Sequence, residues 1–339
     1  MKRIDYMQQF DDLKYPDRKP WLLVVLLIVA GVVAFQCYRG RRVMPRQEPQ
    51  RVKPEATVRE KVAATVTNVV KLANLPPRAA ATNITRLATA KKPSQNPAIV
   101  SQFLADARAA EQQQDLPKAR EKYLQFLKDV SDPASIADVE GRLGKINIEL
   151  TTTPAPMTEK VDYIVKKGDF IERIAGKFNS TVDLIEKSNN MANSNLIKAG
   201  DHLRILSGKF SIAVSKTRND LLLTMNNGFF KRYSVGTGKF SKTPVGTFVI
   251  TERMKEPVWW RPDGTEVPYG DKNNILGTRW MTIRAAGTTP DLRGYGIHGT
   301  WDDTSIGKAE SAGCIRMRNA DVEELFMLVP LGTPVTITE

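Results

Sequence analysis

Cysteine and histidine are scarce in this chain of 339 residues: Cys37, Cys314, His202 and His298 are all there are. So few exclude a disulfide framework and a structural Cys/His zinc site, and no metal or cofactor is expected. Acidic charge is missing from one stretch in particular, residues 39–100, which carry three Asp or Glu against 13 Lys or Arg. That stretch supplies most of the net charge of +13, while residues 101–150 carry −2, 151–207 carry +1 and 208–339 carry +3. A basic face on a folded domain is therefore not the source of the charge, and no nucleic-acid partner is expected. With 41% hydrophobic residues the chain can bury a core, and its length suggests about two domains.

One long apolar run stands out. Trp21 to Phe35 is uncharged, and continuing through Gln36, Cys37 and Tyr38 gives 18 residues, just enough to cross a bilayer, with aromatic residues at both ends. Arg39, Arg41 and Arg42 follow where a signal peptide would carry small residues for cleavage, so residues 21–38 are expected to be an uncleaved transmembrane helix. Cys37, preceded by Ala34-Phe35-Gln36, is expected to be an inert thiol at the membrane edge. Residues 39–97, with seven prolines and almost no aromatics, predict a disordered basic linker, with one marginal amphipathic helix near 57–73.

Residues 98–150 turn acidic and rich in Ala and Leu. Phe103, Leu104, Ala107, Ala119, Tyr123, Phe126 and Leu127 recur as on paired helices, and Gln113-Gln114-Asp115 and Asp132-Pro133 predict breaks between three helices. Ala119 to Leu127, with Pro133, Leu143 and Gly144, resembles a single tetratricopeptide-like unit, which implies a packing or spacer module rather than a solenoid. A linker is expected at 151–156.

Residues 160–207 read strand, helix, helix, strand. Tyr163 and Val165 open the unit, Ile171, Ile174, Ala175 and Phe178 make one helical stripe, Val182, Leu184, Ile185 and Ser188 a second, and Leu203 and Ile205 close it. The string from Asp162 to Leu206 resembles a LysM domain. The resemblance implies binding to N-acetylglucosamine-containing glycans through Gly168, Asp169, Phe170 and Ile171 in one loop and Asn195, Leu196 and Ile197 in another. Phe170 stands where that family usually has threonine. His202 has no partner ligand nearby in sequence and is expected at the surface.

From Gly208 to residue 338 the chain is rich in alternating strands with Gly and Pro punctuation, predicting a mainly-β domain. Its single cysteine and single histidine each sit among glycines, in Gly296-Ile297-His298-Gly299 and Ser311-Ala312-Gly313-Cys314. A thiol near pKa 8.5 needs a base to act as a nucleophile at neutral pH, and His298 is the one imidazole available; a small buried hydrophobe is the competing reading of a lone cysteine. The two motifs, with His298 and Cys314 16 positions apart and with SVGTGKFSKTPVGTF and NILGTRWM before them, resemble the YkuD-type L,D-transpeptidase catalytic domain.

That resemblance implies that Cys314 is the nucleophile, His298 the general base, Ser311 an ordering residue, and Gly313 with Cys314 the backbone donors of an oxyanion hole. Arg316 is expected to contact a substrate carboxylate or to brace the loop, and Trp301 is the best aromatic candidate for a substrate groove, ahead of Trp259, Trp260 and Trp280, for the last of which core packing reads equally well. Many relatives carry a histidine where this chain has Ala312. The implied reaction is acylation of Cys314 by a peptidoglycan stem tetrapeptide with loss of D-alanine. Transfer to a second stem gives a 3→3 cross-link; transfer to water or to an envelope protein is also open. Asn319 is expected to cap a last helix, and the loop from Lys255 to Asn274 to cover the site as a lid. Because peptidoglycan lies outside the inner membrane, residues 1–20 are expected in the cytoplasm and the later domains in the periplasm. A non-catalytic peptidoglycan-binding adaptor is the competing reading.

Overall fold

A computed structural model describes residues 97–130, 132–193 and 197–339, which all belong to one compact unit. The expected membrane helix at 21–38, the cytoplasmic segment before it and the basic linker up to residue 96 lie outside the described residues. Among the described residues no helix is long and apolar enough to cross a membrane.

Three helices come first, α1 (Pro97–Gln112), α2 (Leu116–Asp129) and α3 (Pro133–Thr152). They break where the sequence predicts, because Asp115 accepts a capping hydrogen bond from the Lys118 N–H and Asp132 one from the Ser135 N–H, with proline in each first turn. A compact βααβ unit follows: β1 (Lys160–Ile164), α4 (Ile171–Lys177), α5 (Val182–Ser188) and β2 (His202–Leu206). Val165, Ile171, Ile174, Ala175, Ile185, Leu203 and Ile205 form its own core. His202 is exposed, as expected.

The remaining chain builds an eight-stranded sheet from β3 (Phe210–Ser215), β4 (Asp220–Met225), β5 (Gly228–Ser234), β7 (Gly246–Lys255), β10 (Arg279–Ala285), β11 (Gly296–His298), β13 (Ile315–Arg316) and β14 (Pro334–Thr338), in the order β13-β11-β10-β7-β14-β3-β4-β5. Two short pairs stand apart from it. β6 (Thr237–Gly238) runs parallel to β12 (Ala309–Ser311), and β8 (Trp259–Trp260) pairs with β9 (Glu266–Val267). The last helix, α6 (Asn319–Leu328), buries Val322, Leu325, Phe326 and Leu328.

The helical segment is a packing module, the first of the two roles expected for it: Tyr123, Phe126, Val139, Leu143 and Leu150 belong to the same core as Phe230, Phe248, Ile283 and Ile297 of the sheet. α3 runs along the terminal strand β5, where the Asn147 side-chain amide donates to the Phe230 carbonyl at 2.8 Å and Arg232 forks onto Glu140 at 2.7 and 2.9 Å. Gly144 permits this approach, since a Cβ there would lie 3.1 Å from Lys231 Cγ. The helix thereby covers a sheet edge that would otherwise offer unpaired backbone groups. The linker expected at 151–156 is corrected: it is partly helix, with Thr151 buried at the end of α3.

The βααβ unit is fastened at both ends. Arg120 of α2 forks onto Glu159, and Lys160 Nζ donates to the carbonyls of Leu150, Thr153 and Ala155 at the end of α3. On the other side Thr181 Oγ1 donates to the Met327 carbonyl, Asp183 pairs with Lys255 and Arg253, and Leu184 enters the large core.

Candidate active site

β11 and β13 run parallel, with His298 opposite Arg316. Cys314 sits in the bend that leads into β13, two residues before Arg316, and its thiol donates to the Gly294 carbonyl at 3.7 Å. The antiparallel partner of His298 on the other side is Trp280. Its indole lies against the imidazole, with centroids 5.6 Å apart and planes inclined by 27°. The indole N–H donates to Thr282 Oγ1, which in turn donates to Glu252, both at 2.8 Å, so this ring is fixed in orientation.

His298 is 2% exposed and its Nδ1 lies 2.6 Å from the Gly299 carbonyl. A carbonyl can only accept, so Nδ1 carries the proton and Nε2 keeps its lone pair. Burial holds the imidazole pKa down to about 4; the Gly299 and Leu276 backbone contacts oppose this and the Arg316 charge adds to it. The residue is therefore a neutral base across the physiological range. Burial raises the Cys314 thiol, offset in part by a backbone hydrogen bond from Gly296 and by the charge of Arg316. Burial thus favours the neutral form of both groups.

Ser311 staples the nucleophile loop. Its hydroxyl donates to the Cys314 carbonyl at 2.7 Å and accepts from the Gly313 N–H at 3.0 Å. The Gly313 N–H, expected as an oxyanion donor, points to Ser311 Oγ in this structure. Glycine is required at 313 for another reason, because φ is +139° and a Cβ would lie 2.8 Å from the Tyr295 ring. Thr243 braces the same residue, donating to the Gly313 carbonyl at 2.8 Å. Arg316 is half-buried and makes no ion pair among the described residues.

Asn319 does not cap α6; Arg318 occupies that position without a side-chain cap. Instead Asn319 Oδ1 accepts from the Thr278 N–H at 3.1 Å and fills space that a Cβ on Gly277 or Gly299 would need. It thus supports the residue whose carbonyl fixes the His298 tautomer. Trp301 is 55% exposed and meets Tyr269 at 6.2 Å between ring centroids. Tyr269 belongs to the loop expected as a lid, which is held by buried Asn274 donating to the carbonyls of Pro257, Val267 and Pro268.

Residues 209–337 match the L,D-transpeptidase catalytic domain and residues 163–206 match the LysM domain. YqjB of Bacillus subtilis, which carries an L,D-transpeptidase name, is 41% identical over 129 residues, covering 38% of this chain and 70% of that protein. YkuD of the same organism, likewise named, is 35% identical over 182 residues, covering 52% of this chain and 97% of that protein. This chain belongs to the L,D-transpeptidase family. Among solved structures, an L,D-transpeptidase from Mycobacterium tuberculosis H37Rv aligns with a TM-score of 0.32 at 16% identity, over 42% of this chain and 64% of that one.

In the LysM domain, Gly168 takes φ +84° at an exposed turn, and Asp169 accepts from the Tyr163 hydroxyl and the Lys166 N–H. Phe170 is 47% exposed, with the Arg173 guanidinium 4.2 Å above its ring. Ile171 is corrected: its side chain is 1% exposed in the domain core and is not presented to a glycan. Ile197 packs partly against the same core, and Asn195 and Leu196 lie outside the described residues. Sequence reasoning missed Thr243 as a site residue and read Asn319 as a helix cap; Trp280, weighed for the groove, stacks on the base instead.

Proposed function

We propose that this chain is a membrane-anchored peptidoglycan L,D-transpeptidase that uses Cys314 as nucleophile and His298 as general base. The observation that carries the reading is the neutral, buried His298, its Nδ1–H held by the Gly299 carbonyl, on the strand beside the one that Cys314 opens. His298 Nε2 takes the thiol proton as Sγ attacks the carbonyl of the third residue of a stem tetrapeptide. The oxyanion is met by the Cys314 N–H, and Ser311 holds that N–H in place through the Cys314 carbonyl. The proton passes to the departing D-alanine amine. The thioester then reacts with the side-chain amine of a second stem to form a 3→3 cross-link, or with water or an envelope-protein amine. Arg316, whose charge acts on the thiol and which makes no ion pair among the described residues, is the group for a substrate carboxylate.

The LysM domain holds the glycan strand, with exposed Phe170 as a platform for sugar rings. In this reading residues 21–38 anchor the chain in the inner membrane and 39–97 join that anchor to the later domains. Incubation with a carbapenem followed by peptide mapping tests the nucleophile: an adduct on Cys314, missing from Cys314→Ala, is expected. An intact enzyme without an adduct favours the non-catalytic adaptor.

A further inference from the structure

The nucleophile loop has a second neighbour besides the base. The Gly238 N–H donates to Thr243 Oγ1, and Thr243 Oγ1 donates to the Gly313 carbonyl, both at 2.8 Å. The chain between them, Lys239-Phe240-Ser241-Lys242, thus leaves and returns beside the residue that precedes Cys314. Phe240 at its tip is 92% exposed, more than any other large hydrophobic residue described. Phe240 and Ser241 both hold positive φ, 51° and 55°, which residues other than glycine rarely adopt. A phenyl ring held in water by an unfavourable backbone contributes nothing to folding, since its burial would be favourable. Lys239 and Lys242 are exposed, and neither they nor Arg316 make an ion pair among the described residues.

The strand order places this rim across β13 from the base. His298 on β11 and Trp280 on β10 lie on one side of Arg316, and Gly236 bridges Arg316 on the other, leading directly into β6 and Phe240. On the His298 side the exposed Trp301 meets Tyr269, an aromatic surface suited to an acyl donor. The Phe240 side is open. A transferase that must admit its second substrate while the first is covalently held needs such an open approach.

Resting on the transpeptidase reading above, we propose that the loop Lys239–Lys242, with Arg316, docks the acyl acceptor. The acceptor is a second stem peptide, whose carboxylates meet the three cations while its aliphatic stem lies on the Phe240 ring. Its amine nitrogen forms the new amide bond to the acyl carbon as the thioester C–S bond breaks, and the amine proton returns through His298 to Sγ.

The test uses the full-length chain with a disaccharide tetrapeptide, quantifying cross-linked dimer and hydrolysed tripeptide by mass spectrometry. Phe240→Ala is expected to lower the ratio of dimer to tripeptide about tenfold, the loss typical of an anchoring aromatic. Lys239→Glu combined with Lys242→Glu lowers it as well, and Phe240→Trp retains it. Dimer and tripeptide falling in equal proportion, an unchanged ratio, or a wild type that makes tripeptide without dimer overturns the proposal. A wild type that releases no D-alanine overturns the transpeptidase reading and this proposal with it.

Discussion

His298 combines complete burial with a fixed tautomer, and both leave measurable traces. Its pKa of about 4 in the fold lies below the ordinary imidazole value of about 6.5, so the unfolded chain binds the extra proton between those limits. The contribution to stability is full above about pH 6.5 and is lost as pH falls toward 4, on the order of 3 kcal/mol. Urea unfolding at pH 7 and pH 4.5 should show this loss in the wild type and a smaller one in His298→Gln. Acylation should stay flat from about pH 5 to 8, because a neutral thiol and neutral imidazole are the reactive pair. A bell centred near neutrality would contradict that pairing. Arg316→Ala removes a charge that lowers both groups, so it should move the acid limb of the profile upward and raise KM for the tetrapeptide. Asn319→Ala loosens the Gly299 carbonyl. It should slow acylation by roughly tenfold, the scale of a lost orienting contact, and Asn319→Asp should partly restore the rate if position rather than packing is at issue.

At the scale of elements, the caps of the helical segment and the alternation of the strands were legible in the sequence because they are local. Asp115 and Asp132 start their helices where the sequence places them, and the LysM strands fall where Tyr163 and Leu203 mark them. What depends on distant neighbours was not legible. α3 reads as an ordinary amphipathic helix, and only the Asn147 bond to the Phe230 carbonyl, 83 residues away, shows it as the cover of a sheet edge. Asn147→Ala should destabilise the chain by about 2 kcal/mol, since it strands buried partners, and thermal unfolding reads this directly. Asn319 follows every rule for a helix cap, yet it is claimed by two glycines and the Thr278 N–H on the other side of the site. Phe170 opens α4 without a side-chain cap. Phe170→Thr should therefore raise thermal stability by about 1 kcal/mol while reducing retention on insoluble peptidoglycan, opposite signs that a purely structural role would not give.

At the scale of the molecule, helical segment, LysM domain and catalytic sheet are fastened to one another by shared core and by the Arg120, Lys160 and Asp183 contacts. A glycan held by the LysM domain is then presented to the catalytic sheet in a restricted orientation. The membrane orientation proposed above rests on the proposed substrate rather than on the arginines at 39, 41 and 42, and protease treatment of intact spheroplasts should digest the C-terminal domains; their protection would overturn it. The central claim is that Cys314 accepts the acyl group of a stem tetrapeptide. Incubating the chain with a disaccharide tetrapeptide and following Cys314 by intact-protein and peptide mass spectrometry tests it most directly. The account predicts a thioester on Cys314 and stoichiometric release of D-alanine, both absent in Cys314→Ala. Release of D-alanine by Cys314→Ala, or a folded wild type that releases none, would contradict it.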